Sequence, residues 1–314
     1  MKRALAALLL LGAAPIATVD DGLISGDTLP PKLSDYRFFN GEAANARVTA
    51  YHLTTPLFSD YTDKDRFFYM PPGRRIRFDA SGAAQFPVGA ALIKTFRYGP
   101  RKLETRVLLH RAAGWIALPY VWDGNDAVLK RGGTRLAAAV KGQPISYAVP
   151  NVNQCKECHQ NGVAPTPIGP KARNLDDAQL AAWRKAGLAD AAPAVPKMPR
   201  WDDAAQPIAL RARAYLEVNC AHCHKPDGSA SNSGLFLGWD QPAGPSLGIG
   251  KGPVAAGRGS GGRMVGIAPG HPEASILTYR MASTEAGVAM PELGRATVHA
   301  EGVALIENWV RSMH

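Results

Sequence analysis

The feature that most constrains this chain is a repeated spacing of cysteine and histidine. Cys155 to His159 read CKECH, and Cys220 to His224 read CAHCH. Each motif has two cysteines three positions apart, followed directly by a histidine, and together the motifs use all 4 cysteines of the 314 residues. About 0.001 such matches are expected by chance from this composition, so the spacing indicates a shared chemical role.

Residues i, i+3 and i+4 of a helical turn lie on one face. Two thiols at this spacing can reach the two vinyl groups of one haem and form thioethers, and the following histidine can supply the proximal nitrogen to the iron. The sequence therefore predicts two covalent haems c. The predicted attachment and iron-binding residues are Cys155, Cys158 and His159 for the first haem, and Cys220, Cys223 and His224 for the second.

Other uses of four cysteines remain open beside this one. A four-cysteine zinc site would use the same pairs, but the gap from Cys158 to Cys220 is long, and a histidine after both pairs would be a coincidence. A thioredoxin-like redox motif expects a βαβ context that the sequence lacks. Two disulfides, ordinary in an oxidising compartment, leave His159 and His224 unexplained. His222, inside the second motif, is expected to be an exposed loop histidine.

The sixth ligand of the second haem is predicted to be Met290. It lies in VAMPELG (Val288 to Gly294), follows His224 by a length that suits a small haem unit, and precedes a helix. Thioether sulfur favours reduced iron and raises the potential. Met281 and Met264 are weaker alternatives. Arg258, in the glycine-rich loop, and Arg263 beside it are candidates for pairing with haem propionates or are simply solvated.

The first haem has no comparably clear sixth ligand. Met198, in KMPR, follows His159 at a distance that suits a ligand and is the first candidate. The other candidates are Met70, His52, His110, Lys171 or a vacant position.

The first residues predict export. Lys2 and Arg3 precede a short apolar run from Ala4 to Ala14, which is typical of a signal peptide rather than a membrane span. No other stretch reaches the roughly 18 apolar residues of a spanning helix. The formal net charge is +10, which favours acidic partners or anionic surfaces. The basic residues are scattered and the protein is expected in the periplasm, so nucleic acid is a poor candidate.

The chain divides into five predicted segments. Strand-like runs such as ALIKTFRY (Ala91 to Tyr98) and GWIALPYVW (Gly114 to Trp122) are separated by turn signals. Helical patterns near Asp176 to Ala186, Leu210 to Val218 and Ala300 to Arg311 follow. The segments are a signal peptide (1–17), a linker or arm (18–45), a β-rich region (46–150), a first haem-binding segment (151–200) and a cytochrome c domain (205–314). The predicted class is α+β, with a sandwich-like β domain and its haem-binding helical extension followed by an all-α cytochrome c domain.

The region from about 205 to the end resembles a small mono-haem cytochrome c domain, through NCAHCH, MPELG (Met290 to Gly294) and the flanking helices. In that family the terminal helices cross beside the haem, which implies that the Leu210 to Val218 helix packs on the C-terminal helix.

A wider stretch, from about Arg47 onward, resembles a family of bacterial dihaem c-type cytochromes of little-known role. The resemblance implies haem binding and electron transfer, and it brings no defined substrate. The similar pieces are PLFSDY (Pro56 to Tyr61), FPVGAALIKTF (Phe86 to Phe96), ETRVLLHR, GWIALPYVW, NVNQCKECH, PIGPKARNL (Pro167 to Leu175), AAGRGSGG and MPELG.

These observations favour an electron carrier rather than an enzyme. Two haems in one basic, exported chain would form a short relay between periplasmic redox proteins, such as a dehydrogenase or a terminal oxidase. The alternative is a dihaem peroxidase-like enzyme, which would need an open or displaceable ligand at the first haem.

Overall fold

The computed structural model describes residues 18–162 and 164–314. The predicted signal peptide, residues 1–17, lies outside the described residues. The helices are α1 Asp21–Ser25, α2 Val152–His159, α3 Asp177–Lys185, α4 Ile208–Asn219, α5 Ile276–Met281 and α6 Ala300–Arg311. The strands are β1 Phe39–Asn40, β2 Ala43–Ala44, β3 Val48–Ala50, β4 Asp63–Tyr69, β5 Arg77–Phe78, β6 Ala84–Gln85, β7 Ala91–Tyr98, β8 Arg101–Arg111, β9 Gly114–Asp123, β10 Asp126–Leu129, β11 Thr134–Val140, β12 Gln143–Val149, β13 Gln160–Asn161 and β14 Ala164–Pro165.

The centre of the fold is a six-stranded antiparallel sheet with strand order β10-β9-β8-β7-β4-β3. Its long strands are rich in aromatic and β-branched residues, which suit a pleated, half-buried surface. The strand predicted at Ala91 to Tyr98 is confirmed with the same bounds as β7. A two-residue turn at Gly124 and Asn125 joins β9 to β10, and Gly124 has a φ of 61°, a conformation that glycine adopts without steric penalty.

One face of this sheet is covered by residues 18–45, the segment predicted to be a linker or arm. Ile24, Tyr36 and Phe38 are buried there, against sheet residues that include Tyr69. Full burial of an apolar side chain contributes roughly 1.5–3 kcal/mol. The segment is therefore part of the core.

The opposite face positions the candidate site. Phe68, Leu92 and Leu108 pack against Trp183 of α3. Farther along the same face, charged side chains replace the apolar ones, beginning with Lys94 on β7. The α2 helix follows β12 and packs near β9, so the first motif lies beside this charged part of the sheet.

The sandwich-like arrangement expected for residues 46–150 is wrong. A sandwich needs a second sheet of several strands. Apart from the main sheet, the described residues of this region form only two-stranded pairs, of which β11–β12 is the longest. That hairpin packs through Tyr147 and Val149 on Leu103 and Val121. The sheet faces are covered mainly by the N-terminal segment and α3, so no second large sheet is needed to bury them.

The expected all-α cytochrome c domain at 205–314 is also wrong. The helices α4, α5 and α6 span 12, 6 and 12 residues, and the rest consists of 3-10 turns, isolated bridges and loops. The segment from 228 to 262 is rich in glycine and proline, which cost about 1 and 3 kcal/mol in a helix interior. The molecule is therefore a β-rich fold with short helices. Two predicted helices are nevertheless present as α4 and α6, and they pack against each other as the resemblance implied.

Candidate functional site

The first CxxCH motif lies on α2, whose start is fixed by two side chains, one just before the helix and one in its first turn. The Asn151 carboxamide oxygen accepts hydrogen bonds from the backbone N–H groups of Asn153 (3.0 Å) and Gln154 (2.8 Å). In return, the Gln154 side chain accepts from the Asn151 N–H at 3.0 Å. This capping box places Cys155 and His159 within a short, defined helix.

His159 is arranged as a metal-ligating histidine would be. Its Nδ1 lies 2.8 Å from the carbonyl oxygen of Thr166. When Nδ1–H donates to that carbonyl, the Nε2 lone pair is left free, and such a partner fixes the tautomer and the ring orientation of a ligating histidine. Burial, with a smaller contribution from Lys94, lowers the pKa of His159 to about 3, so the imidazole is neutral at physiological pH.

The second motif lies just after α4, in a turn rather than on the helix. Cys220 is the C-cap of α4, and its N–H donates to the carbonyl of Leu216. The N–H groups of Cys223 and His224 both donate to the carbonyl of Cys220, at 3.2 and 3.0 Å. This local turn keeps the three motif side chains together. The Nδ1 of His224 lies 3.4 Å from the hydroxyl of Ser233, and burial lowers the pKa of His224.

A cavity of about 650 Å³ opens beside the second motif and contains Met290. Its volume lies in the range of roughly 300–1,000 Å³ that is typical of cofactor sites. His224, Cys220, Cys223 and Met290 all line it, so the structure brings the predicted second-haem residues together. Its apolar lining includes Leu235, Leu237, Leu247, Ile267, Ile276 and Leu277.

The loop that carries Met290 is held by backbone contacts. The N–H of Met290 donates to the carbonyl of Arg280 at 3.0 Å. The guanidinium of Arg295 donates to the carbonyls of Met290 (2.9 Å), Ser283 (2.7 Å) and Thr297 (3.0 Å). Arg295 therefore ties the methionine loop to the segment before α6.

A second cavity, of about 280 Å³, lies between the charged face of the sheet and the first motif. His159 and Met198 both line it. Met198 is only 3% exposed, and its N–H donates to the carbonyl of Arg173 at 2.8 Å. The predicted sixth ligand of the first haem therefore shares a cavity with its predicted proximal histidine.

Of the other candidate residues, only Met281 lies beside the predicted ligands of the second haem. Met70 is buried in the core under α3. His52 pairs with Asp176 at 2.5 Å, and the ring of His110 is stacked on Trp115. Met281 lines the larger cavity beside Met290. Lys171 pairs with Glu217 at 2.5 Å, and Met264 is 78% exposed. Arg258 pairs with Glu285, and Arg263 lies over the ring of Tyr279.

The two motifs meet in space. The sulfur atoms of Cys158 and Cys223 and a ring nitrogen of His222 all lie within 4.8 Å of one another. The proximity of the two thiols raises the pKa of Cys158 and lowers that of Cys223, and the Cys223 thiol donates to the carbonyl of Glu157 at 3.6 Å. A small cavity of about 80 Å³ lies at this junction, and the residues that line it include Cys155, Cys158, Cys220 and His222 as well as His159 and Met290.

The meeting of the two motifs helps to distinguish the possible uses of the cysteines, which are haem attachment, zinc binding and disulfide formation. All four cysteines are free. The group that could hold a metal ion comprises Cys158, His222 and Cys223, which is one ligand short of a closed tetrahedral zinc site. Cys155 and Cys220 are not part of it, so the described residues do not form a four-cysteine site.

His222 is the residue that sequence reasoning missed. It was expected to be an exposed loop histidine, but it is half-buried and lines all three cavities. Its Nδ1 is buried and has no hydrogen-bond partner among the described residues. Its position depends on the meeting of the two motifs, for which the sequence carries no signal.

The donor set fits the predicted cofactor. The larger cavity contains His224 with Met290 and both cysteines of the second motif. The second cavity contains His159 with Met198, while Cys155 and Cys158 line the small cavity at the junction, and no disulfide joins the thiols. Comparison of the chain with protein-family models, curated proteins and solved structures returned no match.

Within residues 18–162 and 164–314, no helix combines the length and apolar character needed to cross a bilayer.

Proposed function

We propose that this chain is an exported dihaem c-type cytochrome that transfers electrons between periplasmic redox partners. The observation that carries this proposal is the pairing of donors within each cavity. His224 lies with Met290 in one, and His159 lies with Met198 in the other. Thiols for attachment, an imidazole and a thioether are the donor set of many c-type cytochromes.

The chain's own residues would hold two haems as follows. Cys155 and Cys158 would attach the first haem and Cys220 and Cys223 the second, while His159 and His224 would supply the proximal nitrogens. Met290 would be the sixth ligand of the second haem, and Met198 that of the first. When bound, each haem supplies an iron that alternates between the ferric and ferrous states.

The protein contributes position and dielectric to this chemistry. The Thr166 carbonyl orients His159, and Arg295 fixes the backbone of Met290. The apolar lining of the larger cavity would exclude water and favour the less charged state of the iron site.

The meeting of Cys158 and Cys223 supports a relay within the chain. Their sulfur atoms are less than 4.8 Å apart, so groups attached to them would be neighbours. Electrons could then enter at one site and leave at the other without a second protein.

The basic net charge of the chain and its expected location in the periplasm indicate the kind of partner. A basic surface attracts acidic proteins and speeds their encounter, so an acidic dehydrogenase or terminal oxidase in the periplasm is the expected donor or acceptor. The resemblance to bacterial dihaem cytochromes supports the same role. Met198 in the first cavity weighs against an open coordination position, on which the peroxidase-like alternative depends.

Counting covalent haems tests the proposal. The full chain, with its native export signal, is produced in a bacterium that has a cytochrome c maturation system, and its intact mass is measured. We expect two haems in the wild type and one in each paired variant, Cys155→Ala with Cys158→Ala and Cys220→Ala with Cys223→Ala. A wild-type mass without covalent haem would refute the function.

A further inference from the structure

A row of three cations crosses the sheet on the face that borders the first motif. The strand register pairs Arg66 of β4 with Lys94 of β7, and Lys94 with Arg106 of β8. Like charges directly opposite each other on a sheet are destabilising. All three residues are half-buried, so bulk water screens their mutual repulsion only in part. Such a row indicates that a counter-charge is required.

The described residues supply only one direct carboxylate partner. Arg106 forms a two-pronged ion pair with Glu104, at 2.6 and 2.9 Å. Arg66 donates to a backbone carbonyl at 3.1 Å. Lys94 lies over the ring of Phe96, 5.0 Å from its centroid. Within residues 18–162 and 164–314, neither Arg66 nor Lys94 forms an ion pair. Two cations therefore remain without an acidic partner.

Both unpaired cations face the 280 Å³ cavity that contains His159. The acidic groups that line this cavity are already used. Glu217 pairs with Lys171 at 2.5 Å, and Asp79 accepts hydrogen bonds from its own turn, including the N–H of Ser81 at 2.9 Å. The cavity therefore has an excess of positive charge beside the first motif.

We propose that Arg66 and Lys94 form a carboxylate-binding site that holds the propionates of the first haem. This inference rests on the proposed function. A haem carries two propionate carboxylates, which match two unpaired cations in number and sign. Guanidinium binds carboxylate through two parallel N–H···O bonds, and ammonium binds it as a point charge. Arg106, already neutralised by Glu104, would border the site.

Two variants and one matched control test this site in the full chain. Arg66→Gln and Lys94→Gln each remove one cation, and Lys64→Gln removes a cation from the same strand and face as Arg66 without altering the lining of the cavity. Haem number is measured by intact mass, midpoint potentials by redox titration, and propionate contacts by the propionate bending bands in resonance Raman spectra.

We expect both site variants to retain two haems. One midpoint potential should fall, because a cation that favours the less positively charged ferrous state is lost, and one propionate bending band should shift. Lys64→Gln should leave the bending bands unchanged and shift the potential less. Unchanged bending bands in both site variants would overturn the assignment.

A carboxylate could also come from a free small molecule, and succinate separates the two sources. If the propionates occupy the site, adding succinate to the wild-type protein leaves both potentials unchanged. A saturable shift that Lys94→Gln abolishes would show that the site takes free carboxylates, and would overturn the propionate assignment. If the chain carries two haems but neither variant shifts a bending band or a potential, only this site is refuted. If the chain carries no covalent haem, the proposed function itself is refuted.

Discussion

At the level of single residues, the two motif histidines are held with different strength. His159 has a carbonyl partner at 2.8 Å, whereas His224 has a hydroxyl at 3.4 Å. A firm hydrogen bond from Nδ1–H makes an imidazole a more basic ligand. A more basic ligand stabilises ferric iron, so the first of the proposed haems should have the lower potential. The two sites would then give the relay a direction.

Met290 can be tested by substitution. Met290→Ala should abolish the weak far-red absorption band of sulfur-ligated ferric haem and should lower one midpoint potential, because the thioether that favours reduced iron is removed. The matched control is Met264→Ala, since Met264 is 78% exposed and lies outside the cavity lining. It should change neither property. A Met290→Ala protein with the wild-type band and potentials would contradict the ligand assignment.

The grouping of two thiols and a histidine within each motif could be predicted because their spacing is local in sequence, whereas Met290 is predicted from its distance along the chain and from the helix that follows it. A thiol pair and the next histidine share one turn wherever that turn lies. The cation row at Arg66, Lys94 and Arg106 could not be predicted in the same way. It exists only because the register of three strands places these residues opposite one another, and a shift by one residue would move each side chain to the other face.

At the level of elements, the contact between α4 and α6 holds the second motif in place. Tyr215 of α4 packs against Gly302 of α6, and its hydroxyl lies 3.0 Å from Nδ1 of the buried His299. Since α4 ends directly at Cys220, the position of α4 also sets the position of the motif. Small size at residue 302 is therefore a requirement of the site's architecture.

Gly302→Ala should lower the free energy of unfolding by roughly 1–3 kcal/mol, the usual cost of overpacking a core. The added Cβ would lie 2.3 Å from the Tyr215 hydroxyl oxygen, and the ring has little room because it is 5% exposed. Helix propensity alone would stabilise the alanine variant by about 1 kcal/mol. A lower free energy of unfolding would therefore show that the contact of the added Cβ with Tyr215 outweighs this gain.

Urea denaturation would measure this change. Gly132→Ala serves as the control, because its Cβ would have no neighbour within 4 Å, and we expect little change there. A Gly302→Ala protein as stable as the wild type, or more stable, would show that the two helices can separate without cost.

The helices near 177–185, 208–219 and 300–311 could be predicted because apolar spacing acts over a few residues. The segment between α4 and α5 could not. It is fixed by turns in which glycines such as Gly248 and Gly261 have φ values of 102° and 55°, and by bridges such as Ile249 with Ile267. Such pairings follow from the tertiary fold rather than from a local period.

At the level of the whole molecule, the loop 56–61 joins the sheet region to the C-terminal region. The Asp60 carboxylate is buried and accepts hydrogen bonds from the N–H groups of Ala296 (2.7 Å) and Thr297 (2.8 Å). The ring of Phe58 stacks on His299 at 4.1 Å between centroids. These long-range contacts are made by the segment PLFSDY (Pro56 to Tyr61). Its sequence does not indicate which residues of the C-terminal region it contacts.

A charged network on the surface spans the same junction. The Glu301 carboxylate of α6 accepts hydrogen bonds from Lys141 of the β11–β12 turn (2.7 Å) and from the hydroxyl of Tyr61 (2.5 Å). These hydrogen bonds lower the pKa of Glu301 to about 2. Because the folded-state pKa lies below the ordinary value of about 4.3, the network stabilises the fold above about pH 4.5, and this contribution is lost as the pH falls toward 2.

Replacing Glu301 tests whether this junction contributes to stability. The side chain is 48% exposed, so solvent screening limits the expected loss in Glu301→Gln to about 0.5–1 kcal/mol at pH 6. At about pH 2 the wild-type carboxylate is about half protonated, most of the stability gained from its lowered pKa is lost, and the difference between wild type and variant should shrink. Glu307→Gln, a charge removal on the same helix at a residue without an ion pair among those described, should show neither effect. Denaturant unfolding at the two pH values gives the comparison. If the Glu301→Gln difference were the same at both, the ionised carboxylate would not be what joins the two regions.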